Sequence, residues 1–452
     1  MLCRNYLKSE KNKKMNRLFY FLFFVIGLSA CTNKKHAVAI DESFIHYCTD
    51  KLLDITMEDI YSPPVASRVF VYPYITCYEV MENGSGRSFM KFITKEWNSK
   101  PDFDTSGISY PLAAIRSFCI VAKSLVFSEY LMDSVSAAFN LEIKNVPDDI
   151  RQKSDKYAEF IAAQIKAWIS KDNYAYVKSA AQYTIPNTDS TWTITPPNYD
   201  KALEPNWKSL RFSLLDSLNQ FFPPPPPVFS KDKKSDFYKY TKSVYDTNNL
   251  KNKEFQYLAK YWDDNPNEYF TTGHNTYFAH RISPPGHWLN ITKEFCKKNN
   301  LNLHESAKIY AHVCLGIFDG IISCWNVKYT CQLIRPISYI NRYIDPKWTP
   351  FIQTPPFPEY TSGHSVITGA ASEVLIHFFG DKPFQDSTIT RWGFDVRSFN
   401  SISEAALEAS RSRFYGGIHY EFGINEGLEQ GRSIGRHVIN KLDALSKNKP
   451  TN

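Results

Sequence analysis

Past its first thirty residues the chain has no apolar run long enough to span a bilayer. The best candidate, VITGAASEVLIHFF from Val366, is short and broken by Ser372 and Glu373. That excludes an integral membrane body and points to a soluble one, tethered at most by lipid. A CxxC pair is also missing. Nine cysteines fall to seven once Cys3 and Cys31 are assigned to a leader, and their spacing suits neither a zinc module nor a dense disulfide framework. No period of about 20 to 50 residues repeats, which excludes the solenoid classes. Charge of one sign is scarce as well. The formal charge is +7, but six Lys/Arg and one Glu lie in the first 30 residues, leaving 47 basic and 45 acidic residues elsewhere, a surplus of two. Nucleic acid is not an expected partner.

What is present is apolar and aromatic. With 452 residues, 43% hydrophobic and 15% aromatic, the chain can build one large domain or two ordinary ones. Segments such as SFIHYCTDKLLDITMEDIY and KSDKYAEFIAAQIKAWISK carry apolar residues at helical spacing, and strand-like alternation is rare, so the fold class is mainly α. Between Tyr183 and Phe229 the texture turns polar and proline-rich, with five consecutive prolines from Pro223 to Pro227, and reads as a connector between two helical halves. Helical texture resumes at Asp236. The segment from Ser306 to Ile334 reads as one long helix ended by Arg335-Pro336, which puts Arg335 at its C-terminal edge.

The leader has the three parts of an export signal: the basic stretch KNKKMNR, the apolar run Leu18 to Leu28, and small residues before Cys31. Met15 offers an alternative start. Leu28-Ser29-Ala30-Cys31 resembles the bacterial lipobox, which implies acylation of Cys31 and a lipid anchor in the bacterial envelope, the outer membrane by default, with the body on its periplasmic or cell-surface side.

Three short pieces of the C-terminal half carry groups suited to a tetrahedral oxyanion. In KYTCQLIRP, Lys328 and Arg335 are seven apart, two helical turns or about 10.5 Å along one face, and two cations on one face suit an anion. In YTSGH, Ser362 takes a helix-cap position, Gly363 lets a bare backbone N–H approach a ligand, and His364 stands beside the helix N-terminus to move protons. In SRFYGGIH, Arg413 is a planar bidentate donor, while Gly416-Gly417 breaks the backbone and presents His419 from a turn as a nucleophile or metal ligand. Each piece alone is ordinary: a solvated helix face, a cap and turn, a loop.

Together, with Lys-x6-Arg-Pro, Ser-Gly-His and Ser-Arg-x5-His in this order, they resemble the signature of the vanadium-dependent haloperoxidases and the related type 2 phosphatidic acid phosphatases and bacterial acid phosphatases. PPFPEYTSGH is similar to the haloperoxidase pattern, with Thr361 in place of proline, a change expected to matter little. It puts Phe357 where chloroperoxidases have Phe and bromoperoxidases commonly have His. Trp325, one turn before Lys328, matches a tryptophan of the chloroperoxidase pocket. ITPPNYDKALEPNW and ISPPGHW extend the resemblance from about Thr191 onward, closest to iodide-selective bacterial peroxidases.

The resemblance implies two packed helical bundles with long Pro-rich connecting loops: a signal segment over 1–31, an N-terminal helical region and connector over 32–230, and a catalytic bundle over 231–452. It implies a vanadate cofactor held by Lys328, Arg335, Ser362, Gly363 and Arg413, with His419 bound to vanadium, His364 relaying protons, and Trp325 and Phe357 lining the halide pocket. Hydrogen peroxide and halide are then the substrates and hypohalous acid the product, with iodide or bromide expected before chloride. The alternative within the same resemblance is a soluble acid phosphatase, with phosphate in the pocket and His419 forming a phosphohistidine. A binding module without turnover is a third class, disfavoured because anion capture alone needs neither histidine. Two other groups read as decoys. His274, His280 and His287 fit no zinc spacing, although His287 could shape the pocket wall, and Asp263-Asp264 lacks the glycine and glutamate of a calcium loop and reads as a solvated turn.

Overall fold

The computed structural model describes residues 40–98 and 100–447. Leu28–Cys31, the lipobox, lies outside the described residues. Fifteen α-helices are present among the described residues. The first seven are α1 (Phe44–Glu58), α2 (Pro63–Gly84), α3 (Met90–Ile93), α4 (Tyr110–Lys123), α5 (Glu129–Glu142), α6 (Asp148–Ile169) and α7 (Tyr174–Ser179). After the connector come α8 (Asp236–Asn249), α9 (Lys253–Tyr261), α10 (Pro284–Lys298), α11 (Leu303–Cys331), α12 (Pro336–Tyr343), α13 (Gly363–Phe379), α14 (Ile402–Tyr415) and α15 (Glu421–Lys447). Two short antiparallel hairpins, β1 (Tyr269–Thr272) with β2 (Asn275–Phe278) and β3 (Phe384–Asp386) with β4 (Arg397–Phe399), interrupt the helical pattern.

The 29-residue helix α11 is the axis of the molecule. A capping box of Asn302 and Glu305 starts it, satisfying two end groups reciprocally. It packs on α2 on one side and on α13 on the other, so the helices before and after the connector share one interior. Contrary to the expectation from sequence, which found no run of spanning length, this helix alone among the described ones is long and apolar enough to cross a membrane, and its apolar stretch is instead buried inside the protein. Helix α13 lies against α15 at backbone distance. A Cβ on Gly431 would sit 2.2 Å from the Val366 carbonyl oxygen, so only glycine permits this approach.

The end of α11 differs from the sequence expectation. The helix stops at Cys331, and Gln332 adopts a left-handed conformation with φ of 51°. Arg335 is then extended (φ −77°, ψ 152°) and caps the start of α12, with Pro336 in its first turn. The proline does force its predecessor out of helical geometry, but it opens a helix instead of closing one. Lys328 and Arg335 therefore do not share a helix face.

The proline-rich connector wraps over α11 and fixes this break. Trp192 N–H donates to the Gln332 carbonyl at 2.7 Å, and Ile334 N–H to the Ser190 carbonyl at 2.9 Å. Further along, the buried Asp319 carboxylate on α11 accepts from the backbone N–H groups of Ser213, Leu214 and Leu215. Beneath the break, Phe237, Tyr339, Trp348, Tyr360, Tyr420 and Phe422 belong to one aromatic-rich cluster that joins the segments around residues 335, 359 and 419.

Candidate active site

Four chain segments meet at the C-terminal end of α11. Lys328 sits on its last turn, fully buried, and donates from Nζ to the carbonyls of Pro358 (2.9 Å) and Glu359 (3.0 Å). Burial pulls its ammonium down to about 7. Arg335, also buried, donates from Nε to the Phe357 carbonyl (2.8 Å) and from Nη1 to the Ile418 carbonyl (2.9 Å) and His419 Nε2 (3.0 Å). Both cations lie 4.9 Å from the Phe357 ring centroid. The break after α11 thus achieves what a shared helix face would not. It turns Arg335 back toward the 357–359 segment that Lys328 already grips.

Ser362 is the N-cap of α13 as expected, its hydroxyl accepting from Ser365 N–H at 3.4 Å. Gly363 opens the helix, and a Cβ there would meet the Trp325 ring at 3.5 Å and Lys328 Cε at 4.0 Å. His364 follows, half-buried, with Nε2 at 3.0 Å from Arg413 Nη1. Burial and that guanidinium hold the imidazole far below its ordinary range, so it is neutral. Arg413, near the end of α14, also donates to the Trp262 carbonyl and to Asp263 Oδ1 (3.3 Å). Gly417 then turns the chain at φ of +81° and brings His419 into the site. Its imidazole is held neutral by burial and by Arg335, Lys328 and Arg413 around it.

Arg413, His364, His419, Gly363, Trp325 and Phe357 line one narrow cavity of about 40 Å³. Trp325 and Phe357 form its aromatic wall, ring centroids 5.2 Å apart, and both are buried. Arg335 Nη2 and Arg413 Nε are buried with no hydrogen-bond partner. Two guanidinium donors left open beside two neutral imidazoles are arranged to receive an acceptor-only group, such as the oxygens of an oxyanion.

Residues 308–448 match the family model of the VCPO second helical-bundle domain. Among solved structures, the first bacterial vanadium-dependent iodoperoxidase is 38% identical to this chain, over 89% of this chain and 97% of its own, with a TM-score of 0.84. The chain belongs to the vanadium-dependent haloperoxidases. Bacterial vanadium-dependent chloroperoxidase structures of holo and apo type are similar at 13% and 12% identity, with TM-scores of 0.65 and 0.64. They cover 87% and 86% of this chain and 95% of each of theirs, a likeness of fold. A search of curated proteins found no match.

Around the motif residues this haloperoxidase carries a set of buried carboxylates that the sequence reading missed or misassigned. Asp263 and Asp264 are not a solvated turn. Asp263 pairs with Arg413, and Asp264, at φ of 33°, accepts from His287 Nδ1 at 2.9 Å. Both are buried because each has a cationic partner inside the protein. His287 stands behind the pocket wall. Its other nitrogen bonds Asp386 at 2.8 Å, and its ring stacks on Trp262 at 4.5 Å. Burial opposes its charge, but the two carboxylates outweigh it and push the imidazole up to about 10. His280 instead faces the Met57 carbonyl, and His274 is exposed between β1 and β2.

Glu359 is the second omission. Fully buried, it accepts at Oε1 from His419 Nδ1 (2.7 Å) and Tyr420 N–H (3.1 Å). Burial raises its carboxyl to about 7 against the pull of Lys328 and Arg335. The available signal was a lone Glu between Pro358 and Tyr360 in an apolar stretch, where glutamate is buried only with a partner. Thr361 also does more than shape the backbone. Its hydroxyl donates to Gln430 Oε1 on α15 at 2.7 Å, a bond proline cannot make.

Proposed function

We propose that the chain uses hydrogen peroxide to oxidise iodide, and bromide less readily, at a vanadate held by Lys328, Arg335, Ser362, Gly363 and Arg413, with His419 Nε2 as the ligand to vanadium. The observation that carries this reading is that two buried guanidiniums with open donors flank the neutral His419 imidazole, Arg335 at 3.0 Å from its Nε2 and Arg413 beside it in the cavity lining. A buried donor without a partner costs on the order of 1–3 kcal/mol, more when charged, and an oxyanion removes that cost at two sites together. Gly363 adds the donor end of a 17-residue helix. The residues present therefore fit vanadate.

Bound vanadate would supply a Lewis-acid centre at which peroxide is activated toward halide while vanadium keeps its highest oxidation state. The protein's own part is electrostatic and protonic. Lys328, with two of its three N–H groups on carbonyls, brings charge beside Gly363. His364 Nε2 accepts from Arg413 Nη1 in this structure, and once that bond opens its lone pair would take up a proton leaving peroxide. The Trp325–Phe357 wall gives the cavity an aromatic face, and the preference for iodide is supported by the likeness to the bacterial iodoperoxidase.

Export and anchoring through an acylated Cys31 to the outer membrane are part of the proposal, and the leader sequence is their support. The catalytic reading is tested with phosphate-stripped protein, assayed with and without orthovanadate for peroxide-dependent oxidation of iodide, bromide and chloride. Vanadate-dependent oxidation ranked iodide, bromide, chloride, and lost in His419→Ala, is expected. Phosphomonoester hydrolysis without halide oxidation would sink it.

A further inference from the structure

His419 has its two ring nitrogens in opposite surroundings. Nε2 faces Arg335 Nη1 at 3.0 Å, and a guanidinium can only donate, so Nε2 must be the acceptor. In a neutral ring the proton then sits on Nδ1. There, at 2.7 Å, Glu359 Oε1 receives it. The same oxygen accepts from Tyr420 N–H, so the carboxylate is tied to the backbone next to the histidine as well as to its ring. On its far side the space is closed: a Cβ on Gly423 of α15 would lie 2.4 Å from Oε1. The carboxylate is seated in a slot that only glycine leaves open.

We infer that Glu359 is the positioning residue of this site, holding His419 in the Nδ1–H tautomer and fixing its ring so that Nε2 keeps an unprotonated lone pair, which accepts from Arg335 Nη1 in this structure. The inference concerns the tautomer in the metal-free protein. Its consequence for cofactor binding rests on the vanadate reading proposed above. Without the carboxylate the Nδ1 proton loses its acceptor and the ring is held only by Arg335, so it can turn away from that donor and carry its proton on Nε2, where it would block a bond to vanadium. Partners of this kind typically change metal affinity by about 10–100-fold.

The test is nitrogen-15 NMR of histidine-labelled, vanadate-free full-length protein, with the His419 signals assigned by their loss in His419→Ala. Wild type should show a single Nδ1–H tautomer. Glu359→Leu should give a mixture or the Nε2–H form, and Glu359→Gln, whose amide oxygen still accepts, should restore the Nδ1–H form in large part. Gly423→Ala keeps the carboxylate but displaces it, and should shift the tautomer in the direction of Glu359→Leu. It also serves where the leucine variant does not fold. Calorimetric titration with orthovanadate should then show weakening of about 10–100-fold for the leucine and alanine variants and less for glutamine. An Nδ1–H tautomer unchanged in Glu359→Leu and Gly423→Ala overturns the inference. A tautomer that responds as stated, in a wild type that binds no vanadate, upholds Glu359's role and sinks the vanadate reading instead.

Discussion

At the scale of single residues, the site depends on buried charges that each have an opposite charge beside them, and His287, between two carboxylates, is the clearest case. Its imidazole is fully enclosed between Asp264 and Asp386, with Tyr261 donating to the same Asp386 at 2.8 Å. Because its folded value, about 10, lies above the ordinary 6.5, its contribution to stability is fully present below pH 6.5 and is lost as pH rises through 10. Chemical denaturation should show unfolding free energy falling across that window by up to roughly 1.4 kcal/mol per pH unit. In His287→Gln the slope should flatten; an unchanged slope would mean that the imidazole is not held charged. Motif residues were legible in the sequence because their spacing is a signature. Glu359, Asp263 and Asp264 were not, because a carboxylate's burial depends on partners that are 60 residues away for Glu359 and 150 for Asp263.

At the scale of elements, helix ends do the positioning. The N-cap at Ser362 was readable because Ser-Gly-His precedes an apolar run. The break after Cys331 was not, since Gln332 takes a left-handed turn without glycine to announce it. That conformation is imposed by the connector, whose backbone bonds to Gln332 and Ile334 come from residues more than a hundred positions earlier. The α13–α15 crossing holds Ser362, Gly363 and His364 against the rest of the site, with Ser362 N–H donating to the Gly423 carbonyl at 2.9 Å. Gly431→Ala should therefore be destabilising despite alanine's helix preference of about 1 kcal/mol. Its Cβ would strike the Val366 carbonyl, and overpacking against backbone costs about 1–3 kcal/mol. The check is the urea midpoint, expected to fall with the slope unchanged. A midpoint at or above wild type would show that the two helices can separate without loss.

At the scale of the molecule, the mainly helical class followed from periodicity, and the helical-bundle haloperoxidase fold from family resemblance. What neither supplied is the way Leu203 of the connector, Trp325 of α11 and the buried Asp263–Asp264 pair close one small cavity around His364, Arg413 and His419. Residues from Pro63 to His419 line that cavity, and no local pattern encodes it. On the proposal above, this cavity is a vanadate site with His419 as its ligand. The most direct measurement is a crystal structure of the phosphate-stripped protein grown with orthovanadate. Vanadium bonded to His419 Nε2, with its oxygens meeting Arg335 Nη2 and Arg413 Nε, is the result the account predicts. An oxyanion bound elsewhere, or His419 Nε2 still bonded to Arg335 with no vanadium on it at saturating vanadate, would contradict it.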